Sequence, residues 1–384
     1  TMYGIELIKQ AFHLKEVPRI PWVPFVGCHA GNLLGITATD FLTSSENIVR
    51  GVSKAIELYK PDGIPVAFDL QIEAETLGCQ LNWADDNPPA VISHPLAEGM
   101  TIDRMKIPCS CRGRIPVVME ASRQLRSLFP DIALYGLVTG PFTLALHLMG
   151  TDIFMKMFED PEYVHKVMRF ATDMSLFMSG NYIEAGCDVI AMVDPMTSQI
   201  DPLSFETFVT PYATEIFSFI RDTGALSSFF VCGNAKQNIE VMCKCLPDNI
   251  SIDENIPLAY VRDVALAYNI SFGGNIKLTV SLLMGSEDDS RRDALNCMDT
   301  GGKKGFILAP GCDLPMATPP QNLIAVTELV HDEMLQGKLR ASEAPVQEVE
   351  KLDLSTHWSD KQVVIDIITL DSSSCAPCQY MVNA

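Results

Sequence analysis

The sequence is poor in basic residues relative to acidic ones. It carries 28 lysines and arginines against 48 aspartates and glutamates, which gives a formal net charge of -20 at pH 7. The phosphate backbone of a nucleic acid would be repelled by a protein of this charge. We therefore expect no nucleic-acid partner.

The sequence also lacks a long uninterrupted apolar run. Residues 3–14 mix charged and apolar side chains at helical spacing, unlike a signal peptide, and the most apolar stretch, residues 132–149, is broken by Thr139-Gly140-Pro141. A strand that leads into a helix explains that stretch better than a membrane span. We expect no membrane partner, a cytoplasmic location, and 12 cysteines kept as reduced thiols.

No glycine-rich phosphate-binding fingerprint follows the first predicted strand, which argues against an open doubly wound sheet. Short apolar runs instead alternate with longer helical patterns, as in parallel βα units. The runs predict eight strands, at residues 21–26, 65–70, 132–138, 189–193, 227–231, 250–253, 270–273 and 305–308. Helical patterns lie between them, at residues 45–58, 116–128, 162–184, 204–221 and 235–245. The sequence therefore predicts an α/β fold of the (β/α)8 TIM-barrel class.

The composition divides the chain into three parts. Residues 1–340 form the predicted barrel, with residues 70–108, rich in Pro, Asp and Asn, as an insertion over its mouth. Residues 341–360 have few apolar anchors and are interpreted as a linker. Residues 361–384 resemble the first strand and helix start of a thioredoxin-like domain, in which Cys375 and Cys378 would be the redox pair. Because this segment is too short to bury a core, we expect the natural chain to continue or the segment to dock elsewhere.

Residues that follow the strands of such a barrel line its active-site rim. The sequence places thiols, carboxylates, amides and a histidine there: Cys28, His29, Asp69, Asp194, Ser198, Cys232, Asn234, Asp253, Glu254, Asn275, Cys312 and Asp313. Among them we assign catalytic roles to Asp69, Asp253 and Glu254. Substrate contacts are assigned to Asp194, Ser198, Asn234 and Asn275.

The cysteines at this rim suggest metal chemistry. Two thiolates with one nitrogen or carboxylate ligand make a zinc site with an open position. A substrate thiol bound in that position would be held as a thiolate at neutral pH. Two cysteines from separate loops are also often small buried hydrophobic residues, so the spacing alone leaves both interpretations open.

Five segments resemble a known family. They are PVAFDL at 65–70, DPMTSQI at 194–200, VCGN at 231–234, SIDE at 251–254 and LAPGCD at 308–313. Together they resemble the corrinoid-dependent methyltransferase branch of the uroporphyrinogen decarboxylase superfamily, over nearly all of the predicted barrel. The resemblance implies methyl transfer from a methylated corrinoid protein to a thiol, which is coenzyme M in the best-known members. It also implies a zinc ion held by a His-x-Cys motif and a later cysteine, to which Cys232 and Cys312 correspond.

The chain departs from that pattern at Phe230, which occupies the histidine position and cannot bind a metal. Three interpretations stay open. Zinc is retained with His29 as the third ligand, because His29 follows the first strand at the same rim. Alternatively Asp253 or Glu254 supplies that ligand, or the metal is lost and the barrel has another activity.

The leading hypothesis is a methyltransferase that uses a methylcobalamin-type corrinoid carried by a partner protein and a small thiol activated by Zn²⁺. The resemblance also implies a second candidate, a porphyrinogen decarboxylase. Founding members of the superfamily carry an arginine-rich segment after strand one for the substrate carboxylates, whereas residues 21–31 contain no arginine. A non-catalytic protein that binds a corrinoid or a thiol is the third candidate.

Overall fold

The computed structural model describes residues 4–342. Its strands are β1 (Gly63–Pro65), β2 (Leu81–Asn82), β3 (Ala90–Val91), β4 (Ala133–Thr139), β5 (Val189–Val193), β6 (Leu226–Val231), β7 (Asn249–Ile252), β8 (Ser271–Ile276) and β9 (Phe306–Pro310). Seven of them form one parallel sheet in the order β1-β4-β5-β6-β7-β8-β9, and β2 and β3 form a separate antiparallel pair. Parallel strands in consecutive order require a crossover after each strand, which the helices provide.

The α-helices alternate with these strands. They are α1 (Gly4–Phe12), α2 (His29–Asn32), α3 (Ala38–Leu42), α4 (Ser45–Tyr59), α5 (Ile72–Thr76), α6 (Ile115–Leu128), α7 (Pro141–Met149), α8 (Asp152–Glu159), α9 (Pro161–Glu184), α10 (Pro202–Phe208), α11 (Thr210–Asp222), α12 (Ile239–Lys244), α13 (Leu258–Ala267), α14 (Glu287–Gly301), α15 (Pro320–His331) and α16 (Glu333–Ala341). Short 3₁₀ segments lie at Ile102–Arg104, Pro195–Gln199 and Lys236–Asn238, and a π-helical segment lies at Leu278–Leu283. No helix within residues 4–342 has both the length and the apolar character needed to cross a bilayer.

The first predicted strand closes the sheet into a barrel. Trp22 makes a parallel bridge to Leu308 of β9, and the Val23 amide donates to the Leu308 carbonyl at 2.9 Å. On its other side the Trp22 carbonyl accepts from the Asp62 amide at 2.9 Å, directly before β1. This segment therefore fills the gap between the first and last strands of the sheet, and the fold is the TIM barrel that the sequence predicts.

Most side chains of the strands are apolar on both faces, and the serines and asparagines of β6, β7 and β8 are buried with them. Every residue of β4, β5, β6, β7, β8 and β9 is buried, as expected for parallel strands with helices outside and a packed barrel interior. An aromatic cluster of Phe25, Phe68 and Phe230 fills that interior, with ring centroids 4.9–6.3 Å apart. The interior is thus a packed core and not a channel.

Several predicted boundaries move. The strand predicted at 65–70 is β1 at Gly63–Pro65, and the helix predicted at 204–221 is two helices, α10 and α11. Pro211 lacks the N–H that an uninterrupted helix would need at that position, which explains the division. The helix predicted at 235–245 is a 3₁₀ turn followed by the shorter α12.

Asp62 ties the N-terminal segment to the bottom of the barrel. This carboxylate is buried, forms a two-point ion pair with Arg19 at 2.7 Å, and accepts from the Gly4 and Trp22 amides at 2.9 Å each. It therefore holds both the helix α1 entry and the segment that closes the barrel.

We predict that Asp62→Ala lowers the free energy of unfolding by about 2–4 kcal/mol, because it leaves a guanidinium and two amides without their acceptor. Urea unfolding followed by far-UV circular dichroism measures the change. Glu57→Ala removes an exposed ion pair with Lys54 and should change stability by less than about 0.5 kcal/mol. Equal effects of the two substitutions would contradict the closing role of Asp62.

Candidate active site at the barrel mouth

The loops after β6 and β9 bring two distant cysteines together. Cys232 follows β6, Cys312 follows β9, and their sulfur atoms meet in a disulfide with the Cα atoms 6.0 Å apart. Both side chains are buried. The two cysteines that correspond to family zinc ligands thus lie at one point of the rim, although 80 positions separate them in the sequence.

The ring of Phe230 fills the position at which the resemblance implies a histidine ligand. Its ring packs edge-on against Phe25 at 4.9 Å and Phe68 at 5.9 Å, inside the barrel. The side chain therefore belongs to the apolar core directly below the cysteine pair. A packing residue thus stands where the resemblance implies the third zinc ligand.

His29, the sequence's first choice for the third ligand, is corrected by its contacts. Nε2 lies 2.7 Å from the Tyr59 hydroxyl and Nδ1 lies 3.1 Å from the Met316 carbonyl, and the ring is fully buried. Burial lowers its pKa to about 4, so the ring is neutral at pH 7. Because both nitrogens have other partners, His29 does not face the cysteine pair as a ligand.

Asp253 and Glu254 follow β7, beside the cysteine pair. The Asp253 carboxylate accepts from the Gly233 amide at 3.0 Å and from the Asn255 amide and side chain at 2.9 and 2.5 Å. It therefore shapes the loop that carries Cys232 and has no oxygen without a partner. Asp253 positions this loop in the structure, and its catalytic role stays a prediction.

Glu254 is in a different situation. Its Oε2 accepts from the Leu278 amide at 3.0 Å, and burial, followed by the charge of Asp253, raises its pKa to about 7. A Cβ added to Gly311 would lie 2.7 Å from the Glu254 amide nitrogen, so the loop of Cys312 packs directly against it. Glu254 thus carries a carboxyl group on the loop that packs against the loop of Cys312, and this group can exchange a proton near neutral pH.

The zinc hypothesis requires three protein ligands, and the described part of the chain does not complete the set. Residues 4–342 contain no group of three or more histidine, cysteine, aspartate or glutamate side chains arranged to hold a metal ion. Cys232 and Cys312 could supply two donors when reduced, but Phe230 cannot bind a metal, and none of His29, Asp253 and Glu254 forms a group of three with them. The donor set therefore does not fit a zinc site with one open position.

Two of the predicted substrate contacts have structural roles. Asp194 is fully buried and accepts from the Phe142 and Thr143 amides at the start of α7, so it fixes that helix. The Asn275 side chain donates to the carbonyls of Asp253 and Ile256, at 3.2 and 2.8 Å. The polar atoms of both side chains bind protein groups in this structure, and their substrate contacts stay predictions.

The other two predicted contacts lie at the opening. The Ser198 hydroxyl donates to the Pro195 carbonyl at 2.8 Å and lies beside Gly233. Asn234 is exposed, and its Oδ1 accepts from the Lys236 amide at 3.4 Å. Both remain candidates for contact with a bound partner or substrate.

Asp69 is part of a buried ionic cluster. Its Oδ2 lies 2.5 Å from Nη1 of Arg114, and its Oδ1 accepts from the Gln71 amide at 2.9 Å. Nε of the same arginine lies 2.6 Å from Glu75, and its guanidinium lies over the Trp83 ring at 4.8 Å. Asp69 is therefore ion-paired with Arg114. The sequence did not identify Arg114 as a site residue, because Arg114 follows the insertion and does not follow a strand. Only the tertiary fold brings it to the rim.

Asp313 is a further residue without a role assigned from the sequence. It follows Cys312, is buried, and lies so close to Gly27 that a Cβ on that glycine would overlap the carboxylate. Burial raises the pKa of Asp313 well above its usual value, and the charge of Asp69 raises this pKa further. Burial also raises the pKa of the Cys28 thiol, and the charges of Asp313 and Asp69 raise this pKa further. These groups thus share one electrostatic environment.

The predicted linker beyond Ser342 and the predicted redox pair Cys375 and Cys378 lie outside the described residues. Their assignments stay predictions.

The family is established by comparison with known proteins. The model of the uroporphyrinogen decarboxylase (URO-D) family matches residues 4–333, so the chain belongs to this family. Among its relatives, methylcobamide:CoM methyltransferase MtbA of Methanosarcina acetivorans is 27% identical over 271 residues, 70% of this chain and 78% of that protein. Methylcobamide:CoM methyltransferase MtaA of Methanosarcina barkeri is 27% identical over 289 residues, 74% of this chain and 84% of that protein.

Other relatives in the family are decarboxylases. Uroporphyrinogen decarboxylase of an Anaeromyxobacter species is 25% identical over 303 residues, 75% of this chain and 85% of that protein. Among solved structures, a methyltransferase from Methanosarcina mazei superposes with a TM-score of 0.79 over 86% of this chain and 99% of its own, at 23% identity. That likeness supports the barrel fold.

We predict that Phe230→His creates a zinc site, because it adds an imidazole directly below two thiols. The reduced variant should retain about one more zinc per chain than the wild type after dialysis against excess zinc and gel filtration. Cys232→Ser in the same background should abolish the gain, and Phe230→Leu serves as the packing control. An equal zinc content in the wild type and Phe230→His would contradict the account of Phe230.

Glu73 gives a prediction on stability. It is fully buried, accepts from the Thr139 amide and hydroxyl at 2.9 Å each, and burial raises its pKa to about 7. A carboxyl whose pKa is raised by folding favours the folded state at low pH, and this contribution is lost as the pH rises through 7. Relative to the wild type, Glu73→Gln should therefore gain roughly 3 kcal/mol of unfolding free energy between pH 5 and pH 8.5.

Urea unfolding at several pH values measures that difference. Glu57→Gln, at an exposed site, should follow the wild-type pH dependence. A stability difference between Glu73→Gln and the wild type that does not vary with pH would show that Glu73 has an ordinary pKa.

Proposed function

We propose that this protein transfers a methyl group from a methylated corrinoid, carried by a partner protein, to a small thiol. The observation that carries the proposal is the similarity of most of the barrel to methylcobamide:CoM methyltransferases, together with the paired cysteines at the rim where those motifs lie. A thiol acceptor suits a barrel mouth whose interior is filled by the aromatic cluster of Phe25, Phe68 and Phe230 and whose rim carries Glu254 as a proton acceptor. The corrinoid is treated as the donor substrate of the reaction.

The proposed reaction is a simple displacement. The acceptor thiol loses its proton, the thiolate sulfur attacks the methyl carbon, and the carbon–cobalt bond breaks with both electrons going to cobalt, so that Co(III) becomes Co(I). The protein orients the two substrates and removes the proton. Because the described donor set does not fit zinc, we assign no step to that metal and assign proton removal to Glu254.

The local charges disfavour the decarboxylase alternative. A porphyrinogen carries several carboxylates, which need cationic partners. Arg114 is the one buried lysine or arginine among residues 4–342, and two carboxylates already surround it. The remaining alternative is a protein that binds the corrinoid without catalysis. Tight binding of a corrinoid protein without methyl transfer would favour this alternative.

We predict that Glu254→Gln lowers kcat/KM for thiol methylation by at least about 100-fold, since general bases contribute 10²–10⁴. The assay follows, without oxygen, the absorbance change from methyl-Co(III) to Co(I) with free methylcobalamin and 2-mercaptoethanol. In the wild type the rate should fall below pH 7, because protonated Glu254 cannot accept the thiol proton.

Glu328→Gln, an exposed carboxylate on α15, is the control and should match the wild type. A wild-type enzyme that leaves methylcobalamin unchanged with every thiol, including when loaded on a corrinoid protein, would overturn the proposed function. Retention of the full rate by Glu254→Gln would overturn the role of Glu254.

A further inference from the structure

The barrel mouth contains more buried acid than buried base. Arg114 is the one cationic side chain that residues 4–342 bury, whereas buried carboxyl groups at the strand ends are Asp69, Glu73, Asp194, Asp253 and Asp313. His29, at the same rim, is neutral at pH 7. A ligand that binds at the buried strand ends therefore finds no buried cationic side chain other than Arg114 among the described residues.

The charge of Arg114 is already compensated twice. Asp69 and Glu75 lie 2.5 and 2.6 Å from its Nη1 and Nε, and Nη1 also donates to the Leu42 carbonyl at 3.3 Å. The cluster of Arg114, Asp69 and Glu75, here called the acidic cluster, thus has a formal charge of -1. A sulfonate or carboxylate brought to it would be a third anion, and two like charges about 7 Å apart repel by roughly 2 kcal/mol at an effective dielectric of 20.

Two buried polar atoms in this region nevertheless lack a partner. Nη2 of Arg114 and Oδ1 of Asp313 make no hydrogen bond within the described structure. Such atoms cost about 1–3 kcal/mol each unless something binds them. An unused donor and an unused carboxyl oxygen match a small group that can both accept and donate, such as a hydroxyl, an amide or an amine beside a carbonyl.

The contacts of Asp313 connect this region to the loops of Cys28 and Cys312. Asp313 follows Cys312 in sequence, and its carboxyl group packs on Gly27, the residue before Cys28. The charges of Asp69, Arg114 and Asp313 all act on the Cys28 thiol. A ligand bound to the acidic cluster would therefore reach the same rim as the paired sulfur atoms.

We propose that the acceptor is a thiol whose other end is polar and not anionic, bound by the acidic cluster and Asp313, and that thiols ending in a sulfonate are rejected. This inference rests on the proposed function for the thiol end of the substrate. It separates this chain from relatives whose names specify CoM, a sulfonate thiol, as their acceptor.

Equilibrium binding tests the inference without any methyl donor. Isothermal titration of the full, reduced chain compares three thiols of equal length: 2-mercaptoethanol, 2-aminoethanethiol and 2-mercaptoethanesulfonate. 2-Mercaptoethanol, whose hydroxyl can both accept and donate, should bind at least about tenfold more tightly than the sulfonate, in line with the charge repulsion above. 2-Aminoethanethiol, whose ammonium group can only donate, should bind less tightly than 2-mercaptoethanol and more tightly than the sulfonate.

Glu75→Gln supplies the sharper comparison, because it removes one negative charge and keeps the Arg114–Asp69 pair. It should reduce the discrimination against the sulfonate by about tenfold. Glu120→Gln, at an exposed position of α6, should leave the discrimination unchanged.

Three results would overturn the inference: tightest binding of the sulfonate, no binding of any of the three thiols, or equal discrimination by the wild type and Glu75→Gln. Binding in the expected order without methylation by methylcobalamin, either free or loaded on a corrinoid protein, would support the recognition site and refute the proposed function, so the two failures are distinguishable.

Discussion

Closure of the barrel by the segment around Trp22 is the constraint on which the site depends. The backbone of this segment bonds to β9 on one side and to the residue before β1 on the other, and Asp62 holds it there. Closure places the loop that carries Gly27 and Cys28 between the loops of Asp69 and Cys312–Asp313. Without it the two ends of the sheet would separate, and the acidic cluster would lose its position relative to the cysteine pair.

Much of the architecture could be predicted from the sequence. Apolar runs and helical patterns identified the barrel strands and the long helices α4, α6 and α9, because parallel strands buried on both faces are largely apolar. Most of the shorter helices, such as α2, α3 and α5, were not predicted. The proximity of Cys232 and Cys312 could be predicted, because the carboxyl ends of the strands of a barrel lie at one rim. The division of α10 from α11 required attention to Pro211, which the apolar pattern alone does not reveal.

Individual roles at the site could not be predicted in the same way. Asp194 follows β5 and His29 follows the closing segment as predicted, whereas Asn275 lies within β8. Whether a polar atom faces a substrate or a backbone group depends on contacts that only the folded structure defines. Arg114 shows the reverse case, since nothing in its local sequence indicates that it meets Asp69 and Glu75. Rim position therefore selects candidates, and hydrogen-bond partners decide among them.

The central claim is that the methyl group passes from the corrinoid to a thiol. The most direct measurement uses methylcobalamin carrying a ¹³C-labelled methyl group, with mass spectrometry of the thiol after anaerobic incubation with the full chain. The account predicts one labelled methyl thioether for each Co(I) formed, at a rate far above that of the mixture without protein. Label that stays on cobalt, or a thioether formed equally fast without the protein, would contradict it.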